Sequence, residues 1–92
     1  MTNLLRKFTK AAKIVSSDNA PLRKSVYRAY RDHFSNILSE ELPEKIQIIY
    51  ESVADRLTSA EPPGDIGTDE ARYIAKDILY MADAVQAHYK KP

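Results

Sequence analysis

Residues 68–90 read TDEARYIAKDILYMADAVQAHYK, and this stretch decides the fold class. Successive side chains on an α-helix rotate by about 100°, so the apolar residues of this stretch share one face when it is helical. That face carries Ala71, Ile74, Ile78, Met81, Val85 and Tyr89. Thr68 can cap the helix, and the two acidic residues after it suit a helix N-terminus, where negative charge is stabilised. We therefore predict a long amphipathic helix here.

The same helical period recurs in three earlier segments, at residues 3–16, 21–39 and 43–59. Asp18 or Asn19 can cap the second segment, and Pro43 separates it from the third because proline disfavours helical geometry at the preceding residue. No stretch alternates apolar and polar residues as a half-buried strand does. We predict an all-α fold: an antiparallel three-helix bundle at residues 21–90 with an additional N-terminal amphipathic helix at residues 1–16.

Length and composition exclude several classes of function. The chain has 92 residues, enough for one domain, and no cysteine, which excludes disulfides, thiolate zinc sites and cysteine nucleophiles. Its two glycines cannot build a glycine-rich phosphate loop, and Gly64 beside two prolines predicts a surface loop instead. No apolar run approaches the ~18 residues of a membrane span. His33 and His88 lack a histidine neighbour at helical spacing, so no metal site is predicted. The acidic pairs Glu40/Glu41 and Asp69/Glu70 lie at helix boundaries, where they act as caps and solvated ends, and we predict a non-enzymatic protein with no cofactor of its own.

The formal net charge of +1 hides an uneven distribution along the chain. Residues 1–31 carry a net charge of +7, whereas residues 32–92 carry −6. A difference of this size predicts that the first third faces something acidic: nucleic acid, an anionic membrane or an acidic protein. Pairing between the basic helix and the acidic helices of the same chain is the alternative that needs no partner.

The predicted N-terminal helix separates its apolar residues from its charges. Its basic face carries Arg6, Lys7, Lys10 and Lys13, and no acidic residue precedes Asp18. A basic, acid-free amphipathic helix is typical of a mitochondrial targeting segment. The pattern also fits a membrane-surface helix, or a surface helix docked on a small core.

Six tyrosines are a high number for so short a chain. Four of them fall on or beside apolar stripes and are predicted core residues whose hydroxyls reach the surface: Tyr27, Tyr30, Tyr50 and Tyr89. Tyr73 and Tyr80, seven residues apart, mark a second stripe beside the core face of the last helix. Tyr30 with Arg28 and Arg31 could also stack on nucleic-acid bases and pair with phosphates.

Residues 22–31, LRKSVYRAYR, resemble the first helix of the LYR-motif proteins, which are small mitochondrial helical bundles with a Leu-Tyr-Arg triplet in a basic helix. The succession of Leu42-Pro43, Asp55-Arg56-Leu57 and residues 67–72 (GTDEAR) is similar to that of the succinate dehydrogenase assembly factor 3 branch. Val26 stands where the motif has leucine. The resemblance covers about residues 22–85.

The resemblance implies a matrix-side mitochondrial adaptor, either an assembly factor or an accessory subunit of a respiratory or other large complex. Such proteins bind the acyl carrier protein, an acidic partner whose 4′-phosphopantetheine arm carries an acyl chain into the bundle core. By position, Tyr27 and Arg28 are the motif pair, and Arg23, Lys24 and Arg31 are candidate salt-bridge donors. Arginine suits this role because its guanidinium pairs bidentately with carboxylates.

Our leading hypothesis is therefore a non-enzymatic, LYR-like adaptor that binds acyl carrier protein through its basic helix. Two other hypotheses stay open at this point. One is a small helical protein that binds nucleic acid through its basic N-terminal third, and the other is a purely structural helical subunit without a ligand. If this protein is not mitochondrial, we expect it in the cytoplasm.

Overall fold

A computed structural model describes residues 2–17 and 21–90, with side chains at 4–17 and 21–88. It contains four α-helices: α1 Thr2–Ser16, α2 Leu22–Ala29, α3 Glu44–Ser59 and α4 Thr68–Lys90. No described residue lies in a β-strand, so the predicted all-α class is confirmed. The predicted capping residues Asp18 and Asn19 and the side chain of Tyr89 lie outside the described part of the chain.

Helix α4 is the central element, because it packs against α1, α2 and α3. Five residues of its predicted core face are completely buried or nearly so: Ala71, Ile74, Ile78, Met81 and Val85. Burying one large aliphatic side chain of this kind stabilises a fold by about 1.5 to 3 kcal/mol. The stretch that decided the fold class therefore also supplies much of the hydrophobic core.

Helix α1 is part of the same core. Phe8 and Ala11 are fully buried and Val15 nearly so, and the ring of Phe8 lies 4.7 Å from that of Phe34 between centroids. The helix packs against both α2 and α4. In this structure the N-terminal segment is therefore a surface helix docked on the core, which is the third of the interpretations given above. The core therefore covers Phe8, Ala11 and Val15 of the predicted apolar face of α1.

The prediction of one continuous helix over residues 21–39 is wrong. Helix α2 ends at Ala29 and passes into a π-helical turn, Tyr30–Phe34, which closes with a hydrogen bond from the Ser35 amide to the Tyr30 carbonyl. The chain then leaves helical geometry and makes a short 3-10 turn at Ser39–Glu41. A tyrosine of α3 stabilises this end of the helix, because the Tyr50 hydroxyl lies 2.5 Å from the Phe34 carbonyl oxygen and 2.8 Å from that of Ile37.

Helix starts differ from the prediction by one residue. Pro43 is the residue before α3 rather than its first residue, and its carbonyl accepts a hydrogen bond from the Ile46 amide. Gly67 takes the capping position predicted for Thr68, because the Ala71 amide donates to the Gly67 carbonyl over 2.9 Å. Within the described residues, no helix is both long enough and apolar enough to cross a bilayer.

Candidate functional site

Four of the five residues predicted to bind a partner line one open groove of about 360 Å³, which we call the α2 groove. Its walls are formed by Lys24, Ser25, Tyr27, Arg28, Arg31 and Gly64. The fifth residue, Arg23, is exposed but does not line the groove. Helical geometry explains the grouping, since residues spaced by three, four and seven positions share one side of a helix.

The cations of the α2 groove are available to a partner. Lys24 and Arg28 are exposed and form no ion pair with a described acidic side chain. Arg31 pairs with Asp32 at 3.2 Å, but both side chains are exposed, and such pairs contribute about 0 to 1 kcal/mol. The Arg31 guanidinium also lies 5.9 Å from the centre of the Tyr27 ring. A carboxylate or phosphate on a partner can therefore replace water and Asp32 at little cost.

Gly64 lines the α2 groove, although the sequence did not predict it as part of a site. Its φ angle is 86°, and its amide donates a hydrogen bond to the Leu57 carbonyl over 2.8 Å. A β-carbon at this position would lie 2.5 to 2.8 Å from three carbon atoms of the Tyr27 ring. The sequence indicated a turn at Gly64, but nothing local showed that the turn folds back onto the ring of a residue in α2.

Replacing Gly64 with alanine should destabilise the fold by about 1 to 2 kcal/mol and push the Tyr27 ring out of place. Both the left-handed backbone and the ring contact oppose the added methyl group. Asp65→Ala is the control, since Asp65 lies in the same loop and is exposed. Urea denaturation of the two variants measures the difference. Equal stability would show that the loop does not press against Tyr27 in solution.

The predicted basic face of α1 forms a second cationic surface. Arg6, Lys10 and Lys13 line an open groove of about 510 Å³ together with Leu5 and Thr9, whereas Lys7 lies beside it and is partly buried. None of these four cations forms an ion pair with a described acidic side chain. The structure therefore shows no pairing between these cations and acidic side chains of the described helices, which was the alternative that needs no partner.

The chemistry available at both grooves is the binding of anions. Neither groove contains a histidine or a carboxylate among its lining residues. His33 is partly buried and His88 is exposed, and they lie on different elements. No group of three or more metal-ligating side chains occurs within the described residues.

No model of a protein family, no curated protein and no solved structure matches this chain.

Proposed function

We propose that this chain is a non-enzymatic adaptor that binds an acidic protein through the α2 groove. The observation that carries the proposal is a set of three cations, Lys24, Arg28 and Arg31, which line one groove with Tyr27. Among the described residues, none of the three pairs with a buried acidic side chain. Charges arranged in this way speed the encounter with an oppositely charged surface and select among partners. Apolar contacts, here with Tyr27, are needed for most of the affinity.

The resemblance of residues 22–31 to the LYR motif makes acyl carrier protein the partner in this proposal. Tyr27 and Arg28 are then the motif pair, and the host is a respiratory or other large complex on the matrix side of mitochondria. The chain has no cofactor of its own, and the acyl-4′-phosphopantetheine group belongs to the partner. Helices α2, α3 and α4 would act as an antiparallel three-helix bundle, for which the packing of α4 against both of the others is the support.

Acyl binding would require this bundle to open. Phe8, Phe34 and Met81 are fully buried, so the core has no exposed entrance at these side chains. An acyl chain would have to displace core side chains or separate two helices. The carrier protein can therefore bind in one of two ways, with the acyl chain inserted or with contacts at the α2 groove alone.

Native mass spectrometry after co-expression with an acyl carrier protein tests the proposal. We expect a 1:1 complex, and the mass of the carrier shows whether it bears an acyl-phosphopantetheine group. Recovery of the bare 10.5 kDa chain beside a competent carrier would contradict the choice of partner. Binding of a different acidic protein through the same residues would support the α2 groove as the binding site but contradict the LYR-like assignment.

Reversing two charges in the groove, Arg28→Glu with Arg31→Glu, should abolish carrier binding while leaving the helical content unchanged. The reason is that two exposed cations become anions facing an acidic surface. The matched control is Lys45→Glu with Arg56→Glu, which makes the same change in net charge at exposed positions of α3. Calorimetric titration compares the two variants. Equal loss of binding in both would mean that net charge, and not the groove, governs the interaction.

Nucleic acid is the second candidate partner, and the unpaired basic face of α1 favours it. Binding to phosphates releases counterions, so affinity should fall steeply as salt rises. Titration of duplex DNA and single-stranded RNA at low and high salt tests this alternative. Absence of binding at low salt rejects it, and a purely structural subunit would bind neither nucleic acid nor carrier protein.

A further inference from the structure

The outer surface of α4 carries large side chains that the core does not use. Tyr73 is 63% exposed and Tyr80 is 51% exposed. These two tyrosines form the second stripe that was predicted beside the core face of the last helix, and they lie two helical turns apart. Lys76, Asp83 and Ala87 are also exposed and share this side of the helix by their spacing. We call Tyr73, Lys76, Tyr80, Asp83 and Ala87 the α4 outer face.

The charges of the α4 outer face form no ion pair within the part of the chain that the structure describes. Neither Lys76 nor Asp83 forms an ion pair with another described side chain. Asp83 lies in a shallow groove that Lys13 of α1 also lines, but the two do not reach ion-pair distance. One cation and one anion are thus presented on either side of Tyr80, separated by two turns of helix.

Two copies of the α4 outer face are complementary to each other when the two helices pack antiparallel with Tyr80 at the centre of the contact. With a rise of 1.5 Å per residue, Lys76 lies about 6 Å before Tyr80 and Asp83 about 4.5 Å after it. Lys76 of one copy then faces Asp83 of the other, and the same pair forms again across the two-fold axis. Tyr73 and Ala87 lie at equal distances of about 10.5 Å from Tyr80, so a large side chain faces a small one.

We propose that the α4 outer face binds a second copy of this chain in an antiparallel, two-fold symmetric dimer. A two-fold axis requires that each contact occurs twice with the roles of the two copies exchanged, and Lys76 and Asp83 satisfy this condition. Stacked tyrosines at the axis supply apolar contact. One helix face buries less than the ~1,200 Å² of a standard stable interface, so the dimer is weak and depends on concentration.

Sedimentation equilibrium from about 10 μM to about 1 mM tests the proposal, since this range covers weak association. We expect the mass to rise from 10.5 kDa towards twice that value. Lys76→Asp alone and Asp83→Lys alone should each weaken the dimer about tenfold, because each variant places like charges opposite one another twice. A single 10.5 kDa species of the unaltered chain throughout the range would overturn the proposal.

Mixing the two variants is the decisive measurement. In an equimolar mixture, Asp at position 76 faces Lys at position 83, and Lys76 of the second variant faces Asp83 of the first. The mixture should therefore regain the dimer that each variant lost, and an unfolded variant could not produce this rescue. Arg56→Asp on α3, mixed with Asp83→Lys, has the same net charges; Arg56→Asp keeps the α4 outer face and dimerises with itself, and the association of Asp83→Lys should not be rescued. Rescue in this control mixture, or none in the first, would overturn the antiparallel arrangement.

Discussion

Replacing Phe8 with alanine should lower the free energy of unfolding by about 3 to 5 kcal/mol, the usual cost of truncating a fully buried aromatic side chain. Phe8 is fully buried, and its ring packs against that of Phe34 at 4.7 Å. A domain of this size has a total stability of roughly 5 to 14 kcal/mol, so the loss is a large share of it. Guanidinium denaturation followed by circular dichroism measures the change.

Lys10→Ala is the matched control for Phe8→Ala, because Lys10 lies on the same helix but is exposed. We expect this control to change the stability by less than about 0.5 kcal/mol. Equal stability of the two variants would show that α1 leaves the core in solution. Its apolar face would then be free, and the targeting or membrane-surface interpretations of the N-terminal segment would apply again.

Replacing Tyr50 with phenylalanine should destabilise the fold by about 1 to 3 kcal/mol, since the buried Ile37 carbonyl loses this donor. The Phe34 carbonyl keeps its hydrogen bond from the Ile37 amide. The hydroxyl has one proton and lies within hydrogen-bond distance of two carbonyl oxygens, those of Phe34 and Ile37. Both carbonyls lie where the chain turns out of the helix after α2. Tyr80→Phe is the control, because Tyr80 is 51% exposed and should tolerate loss of its hydroxyl.

The contribution of the Tyr50 hydroxyl should also depend on alkaline pH. Burial, and then the nearby Tyr30 and Glu41, raise the pKa of Tyr50 to about 12 from 10.0. Between these values the unfolded chain loses a proton that the folded chain keeps, so stability falls as pH rises. A shift of this size corresponds to a loss of at most about 3 kcal/mol, reached only as the pH approaches 12. The stability difference between the unaltered chain and Tyr50→Phe should be constant up to about pH 10 and then shrink towards pH 12.

Comparison of the unaltered chain with Tyr50→Phe isolates the titration of Tyr50, because the other tyrosines are present in both proteins. Denaturation curves of the unaltered chain and Tyr50→Phe at pH 8, 10 and 11.5 give the difference directly. A difference that stays constant to pH 11.5 would mean that the hydroxyl titrates alike in the folded and unfolded chains. The hydroxyl would then not be buried in solution as it is in this structure.

Most of the α2 groove could be predicted from the sequence, because its cations lie on one helix. Lys24, Tyr27 and Arg28 share a side through local spacing alone, and Arg31 follows one turn later. Gly64 could not be predicted as part of the site. Its role depends on a contact between a loop and a ring that are distant in the sequence, and helical periodicity contains no information about such contacts.

The sequence was sufficient to predict the all-α class, the core face of α4 and the separation of charge between residues 1–31 and 32–92. These properties follow from the order of apolar and charged residues along single helices. The tertiary structure alone decided that α1 joins the core through Phe8 and that the helix after Pro21 ends early. The reason is the same in both cases: Phe34 meets Phe8 and Tyr50, which belong to other helices, and their packing overrides the local helical period.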